Sequence, residues 1–180
     1  MKKVMFLILV LAFIFGVGSG TIFAQVNGNS LDASADVYAE VLEAFDVTNL
    51  EGEDLDFGTL AAAADSGGTI IVDAGDTGTG STANIPYHDG VFQAAGFEIT
   101  GGYSGETSIN YSIELPTSVT IDNNNGASMI VDNFTSDLTS NEGIISGGSD
   151  TFYVGATLNV GAAQETGSYS GSFEVTVTLE

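Results

Sequence analysis

Short runs of alternating apolar and polar residues, broken by turn residues, follow one another along the chain after Leu50. A period of two places successive side chains on opposite faces of a β-strand. Regularly spaced short strands separated by turns are typical of an antiparallel β-sandwich. No segment after Leu50 has the spacing of an amphipathic helix. The pattern predicts strands in seven segments, namely 54–60, 68–75, 95–101, 107–115, 118–131, 151–160 and 168–180.

Two of these segments give the clearest signals. Segment 118–131 contains Asn125–Gly126 between two apolar runs, which predicts a hairpin because Asn-Gly is the strongest short hairpin signal. In segment 168–180 Phe173, Val175 and Val177 share one face with polar residues opposite, so we expect these three side chains to be buried. The sequence therefore predicts an all-β, immunoglobulin-like antiparallel β-sandwich over residues 44–180.

The stretch before this domain fits two interpretations. Val37, Val41 and Ala44 with Phe45 would form one face of a short helix. The same stretch also keeps a period of two in small apolar residues: Leu31, Ala33, Ala35, Val37, Ala39 and Val41. A strand needs a sheet edge for its backbone groups, either in its own domain or in a neighbouring copy. We favour donation to a neighbour, with residues 25–43 as an N-terminal extension and 44–50 as the domain's own first strand.

The first residues indicate the route of export. Lys2 and Lys3 precede an apolar run over 4–17, and small residues lead to Ala24. This order is typical of a secretory signal peptide, residues 1–24, cleaved after Ala24. A retained membrane anchor is less favoured, because a spanning helix needs about 20 apolar residues. We expect a protein secreted through the periplasm to the extracellular space or cell surface, touching the membrane only before cleavage.

Charge narrows the possible partners. After Ala24 the chain has no Lys or Arg, whereas all 24 Asp and Glu residues lie beyond that point. Such a chain cannot neutralise phosphates, so we expect no nucleic-acid partner. Without a lysine amine it also cannot form isopeptide or sortase-type links between subunits. Since the chain has no cysteine, packing and strand pairing must hold the fold, and any assembly must be non-covalent.

Three groups of residues are candidates for chemical sites. Carboxylates suited to calcium cluster at Glu51, Glu53, Asp54 and Asp56, and the turn 122–126 faintly resembles a calcium loop. Loop carboxylates of so acidic a chain are mostly solvated, so we predict no metal site. His88 beside Asp89 lacks a recognisable nucleophile and is interpreted as a loop histidine. We therefore expect no catalytic residues and no cofactor, and a protein that is not an enzyme.

Three stretches carry a family resemblance: "LDFGTL", "SIELPTSVTIDNNNGASMIVDNFTS" and "FYVGATLNVGAAQETGSYSGSFEVTVTLE". They resemble the secreted bacterial family known as domain of unknown function 4402. More distantly the chain is similar to spore-coat-U-type pilins of the archaic chaperone–usher pathway, although it lacks their cysteine pair. That similarity implies a sandwich lacking one strand, which the N-terminal extension of the next subunit completes. It also implies a periplasmic chaperone and an outer-membrane usher as partners.

These observations lead to two functional hypotheses. The first is a structural subunit of an extracellular fimbria or surface filament, assembled from copies of itself by exchange of the N-terminal strand. The alternative is a monomeric secreted or surface-attached binding module of the adhesin type.

Overall fold

A computed structural model describes residues 35–39, 44–102 and 108–180. The predicted signal peptide, together with Leu31, Ala33 and Val41, lies outside the described residues. The chain divides into two compact units, Met1–Ala39 and Glu40–Glu180. In the first unit, residues 35–39 are exposed and belong to no helix or strand. The predicted boundary between residues 43 and 44 stays a prediction.

The second unit is built from antiparallel strands, with no α-helix in its described residues and one 3-10 turn at Thr139–Asn141. This confirms the all-β prediction and is consistent with a β-sandwich. The strands in chain order are β1 Asp46–Asn49, β2 Thr59–Ala61, β3 Gly68–Val72, β4 Gly80–Ala83, β5 Tyr87–Asp89, β6 Ala95–Thr100, β7 Ser108–Glu114, β8 Ser118–Asn123, β9 Ser128–Ser136, β10 Glu142–Ser146, β11 Ser149–Val160, β12 Tyr169–Ser170 and β13 Thr176–Leu179.

Six strands form what we call the first layer, in the order β4-β3-β11-β9-β8-β12. Its inner face follows the alternation seen in the sequence. Ile70 and Val72 of β3 are buried, as is Leu158 of β11, whereas Ile71 between them is 39% exposed. The small β2–β5 sheet covers this face with Leu60, and Phe57 joins the same apolar cluster. The predicted strand over 54–60 is thus shorter than expected and begins at Thr59.

A second layer contains β10, β7 and β13, and a single residue pair, Ser146 with Ser149, connects it to β11. The amino-terminal half of β11 pairs with β6, which pairs with β1. Side chains from β6 and β11 meet those of β7 and β10 in a second apolar cluster. Its buried members are Ile99, Tyr111, Ile113, Ile145, Phe152 and Val154.

A β-bulge changes the inward face of β9. Met129 and Val131 point into the first cluster, and continued alternation would place Asn133 inward next. Instead Asn133 adopts φ 50°, and the pairing with β11 shifts register between Gly155 and Thr157. A bulge inserts one extra residue and bends the strand. As a result Phe134 packs against both apolar clusters.

The closing segment 168–180 is two strands rather than the one predicted. Ser170 of β12 pairs with Asp122 of β8, whereas Thr176 of β13 pairs with Glu114 of β7. The stretch between them has no ladder partner in the described chain, and the connection between β7 and β8, which contains Pro116, is likewise outside any strand. Proline has no N–H to donate, and β8 belongs to the first layer whereas β7 belongs to the second. Both effects interrupt the ladder.

The predicted face of this segment is confirmed, but its burial is incomplete. Phe173, Val175 and Val177 all pack against the second cluster, yet each is only half-buried. The expectation of full burial was therefore wrong. The reason is geometric, since β13 lies at the edge of its layer and no described strand covers its far side.

A hydrogen bond inside the second cluster gives a first testable prediction. The Tyr111 hydroxyl donates to Asp150 Oδ2 at 2.8 Å from a fully buried ring. Burial raises the pKa of Tyr111 well above its usual range, and the hydrogen bond to Asp150 raises it further. The Tyr111→Phe variant keeps the ring but leaves Asp150 without this donor, so we expect a loss of about 1–3 kcal/mol in unfolding free energy. Urea denaturation measures it, with Tyr87→Phe, whose ring is exposed, as the control.

Because the pKa of Tyr111 is raised only in the folded state, the folded protein holds this proton more tightly than the unfolded chain does. The contribution of the bond is complete below the unfolded pKa of 10.0 and decreases as the pH rises above it. The stability difference between parent and Tyr111→Phe should therefore narrow in strongly alkaline solution. A difference that stays constant would contradict the assigned bond.

Candidate functional site

Four strands of the large sheet pair on one side only within the described residues, namely β1, β4, β12 and β13. An edge strand presents unpaired N–H and C=O groups and is a template for another strand. These four edges are therefore the places where a further strand could add to the domain.

The β13 edge differs from the others in the side chains beside it. Phe173 packs against Phe97 and Phe134, with ring centroids 5.9 and 5.1 Å apart. Val175 and Val177 continue the same half-buried row, and Leu179 at its end is 39% exposed. A row of core side chains that remains half open beside a free edge can be covered further by apolar residues of an added strand.

The predicted donor residues fall partly within the described chain. Ala35, Val37 and Ala39 are exposed, and Val37 is 91% exposed. They lie outside any strand or helix, so residues 35–39 support neither the strand nor the helical interpretation. The other predicted members of the set are outside the described residues.

Of the acidic residues 51–56, only Glu53 lines a cleft of about 250 Å³. The cleft is lined by side chains from distant parts of the sequence, including Glu53, Asp76, Phe92 and Tyr153. Glu53 Oε2 is buried and lacks a hydrogen-bond partner. Burial raises the pKa of Tyr153 above 10.0, and the charges of Glu53 and Asp76 raise it further. The cleft is thus a strongly negative environment.

The predicted calcium candidates do not converge. No three His, Cys, Asp or Glu side chains of the described chain are placed to hold one metal ion together. Asp56 Oδ1 instead accepts from the Gly58 N–H at 2.8 Å, within a turn. In the turn 122–126, Asn123 Oδ1 accepts from the backbone N–H groups of Asn125 and Ala127. This oxygen closes the hairpin, with Gly126 at φ 94°.

His88 has a structural role in the described chain. Its Nε2 donates to the Phe57 carbonyl oxygen at 2.9 Å, and its ring stacks on Phe92 with centroids 4.6 Å apart. Gly58 lies so close that a Cβ there would be 2.7 Å from the Asp89 carbonyl oxygen and 3.0 Å from His88 Nε2. The histidine therefore fixes the β2–β5 sheet against the loop before it.

Sequence reasoning missed the cleft. Its residues are separated by up to a hundred positions, and none belongs to a recognisable motif. Of the residues singled out in the sequence, Glu53 is one that lines it. The acidic group 51–56 gave no information about the distant side chains that face Glu53 across the cleft.

Comparison with known proteins places the chain by its sequence family. No curated protein matches it, and no solved structure matches it either. None of the helical segments within the described residues is long and apolar enough to cross a membrane. The family model described as "Domain of unknown function (DUF4402)" matches residues 45–178, from just before β1 to within β13. The chain therefore belongs to the family of domain of unknown function 4402.

Proposed function

We propose that this protein is a structural subunit of an extracellular filament, assembled by exchange of the N-terminal segment between copies. The observation that carries the proposal is the β13 edge, where a half-buried apolar row borders a strand that pairs on one side only within the described residues. The donor is the period-two run from Leu31 to Val41. Its small side chains suit the narrow space beside an edge, and strand addition draws on main-chain hydrogen bonds as well as buried apolar contacts.

The proposal extends to the setting of assembly. Residues 1–24 act as a cleaved signal peptide, and the mature subunit crosses the periplasm to the cell surface. A periplasmic chaperone covers the free edge until an outer-membrane usher assembles the subunits. The immunoglobulin-like strand arrangement belongs to the same proposal, since it accounts for a domain with one strand position left open.

Point substitutions on the two faces of the donor run test the exchange. Val37 lies on the apolar face of the run and Tyr38 on the opposite face. We expect Val37→Asp to abolish filaments, because a carboxylate would be buried without a partner. Tyr38→Ser should leave filaments intact. Negative-stain electron microscopy of the secreted proteins, with circular dichroism to verify folding, measures both outcomes.

Deletion of residues 25–41 gives an independent measurement. We expect a folded domain that does not polymerise. If the deleted chain were unfolded while the full chain stayed monomeric, the segment would belong to its own sheet and exchange would be wrong. A folded full chain that never polymerises would favour the binding module, for which the cleft between Glu53 and Phe92 is the candidate ligand site.

A further inference from the structure

Both outer edges of the first layer are free of charge. At one edge, β4 consists of Gly80, Ser81, Thr82 and Ala83, and at the other the stretch 168–172 around β12 reads Ser-Tyr-Ser-Gly-Ser. The chain as a whole carries 24 carboxylates against two lysines. The β1 edge is different, since Asp46 lies on it and Thr48 pairs with Glu98.

The strand directions of the two edges are complementary. Every pairing along β4-β3-β11-β9-β8-β12 is antiparallel. Because the layer has six strands, β4 and β12 run in opposite directions. When a second copy is displaced along the layer, its β4 therefore lies antiparallel to β12 of the first copy. The strands of the extended sheet therefore remain antiparallel throughout. Its inner face continues from one copy to the next, and so does its outer face.

Neither edge carries the usual protection against pairing. Natural edges are commonly protected by lysine, proline, bulges or inward-pointing charges. Neither β4 nor 168–172 contains lysine, proline or a carboxylate, and among the described residues β4 pairs only with β3 and β12 only with β8. Short length is the protection that remains. Like-charged copies can approach at these edges without bringing edge carboxylates together.

We propose that copies of this protein associate head to tail through the edges of the first layer, with β4 of one copy pairing antiparallel with β12 of the next. This contact uses neither residues 31–41 nor the β13 edge, so it is independent of strand exchange. It is small compared with the roughly 1,200 Å² that stable interfaces bury. The contact is therefore weak between two free molecules. Many such contacts act together where copies are already held side by side, as in neighbouring filaments.

Cysteine cross-linking tests the contact without background, because the chain has no cysteine. Ser81 pairs with Ile71 and Ser170 with Asp122, and all four side chains are exposed on the outer face of the layer. Directly opposed residues in an antiparallel pair have Cα atoms about 4.5–5.5 Å apart, within disulfide reach. Ser81→Cys and Ser170→Cys proteins are mixed, oxidised and separated on a non-reducing gel. Ser168→Cys replaces Ser170→Cys in a parallel mixture to allow for a two-residue shift in register.

The proposal predicts a shift from monomer to a mixed disulfide dimer that increases with protein concentration, identified by mass spectrometry. The double variant Ser81→Cys, Ser170→Cys should give a ladder of covalent oligomers, since a head-to-tail contact does not close on itself. As the control, Thr48→Cys on the β1 edge should not cross-link to Ser170→Cys. Two results would overturn the proposal: homodimers of Ser81→Cys alone, which indicate a two-fold contact, or no mixed dimer at any concentration. Repeating the mixture with Val37→Asp in both proteins separates this contact from strand exchange, because the mixed dimer should persist.

Discussion

Replacing Phe152 by alanine should lower the free energy of unfolding by about 3–5 kcal/mol, the range measured for buried aromatic residues. Phe152 is fully buried at the centre of the second cluster. Its ring stacks on Phe97 with centroids 5.4 Å apart and lies 6.3 Å from the ring of Tyr111. Since single domains are stable by only about 5–15 kcal/mol in total, this variant should lie near the limit of folding. Urea denaturation followed by circular dichroism measures the change.

Two companion variants make this result interpretable. Tyr87→Ala removes an aromatic ring that is 54% exposed, so its cost should stay near 0.5 kcal/mol, as is typical of surface positions. Phe152→Leu keeps most of the volume and should cost less than about 1.5 kcal/mol, which provides a folded protein if the alanine variant does not fold. Equal stability of Phe152→Ala and the parent would contradict the position of this ring in the core.

Filament formation should accelerate as NaCl is added. Residues 25–180 contain 24 carboxylates and no lysine or arginine, so any two copies that approach each other repel. Salt shortens the reach of this repulsion to about 10 Å at 0.1 M. The attraction proposed here consists of main-chain hydrogen bonds and apolar burial, which salt weakens little. Light scattering against NaCl concentration measures the rate, and faster growth in low salt would refute the argument from repulsion.

Calcium provides a second arm of the same experiment. The acidic residues 51–56 do not converge with other ligands on one site in the described chain, so calcium should act mainly through ionic strength. CaCl₂ and NaCl matched in ionic strength should therefore give similar rates. Growth that requires calcium would indicate a specific site, and substitution of Glu53 by glutamine would then show whether the cleft contains it.

The sequence by itself determined which side of most strands faces inward. In the predicted strands 95–101 and 107–115, Ile99, Tyr111 and Ile113 alternate with polar residues, and all three are buried. Asn125–Gly126 marked the hairpin between β8 and β9. These features are local, because the period of a strand and the geometry of its turn depend on neighbouring residues only. The composition likewise established the excess of negative charge on which the NaCl and calcium predictions rest.

Which strands pair with each other was decided only by the tertiary structure. Strands β4, β5 and β10 were not predicted, because their short sequences become strands by pairing with β3, β2 and β7. The bulge at Asn133, which turns Phe134 inward, has no signature in the alternation before it.

The division of residues 168–180 depended on long-range geometry in the same way. Alternation predicted one strand, but its two ends pair with strands of different layers, β8 and β7. The cleft, too, joins residues as distant as Glu53 and Tyr153. Period two specifies the face that a strand buries and gives no information about the strand beside it. Pairing, free edges and clefts are therefore set by contacts between distant parts of the chain.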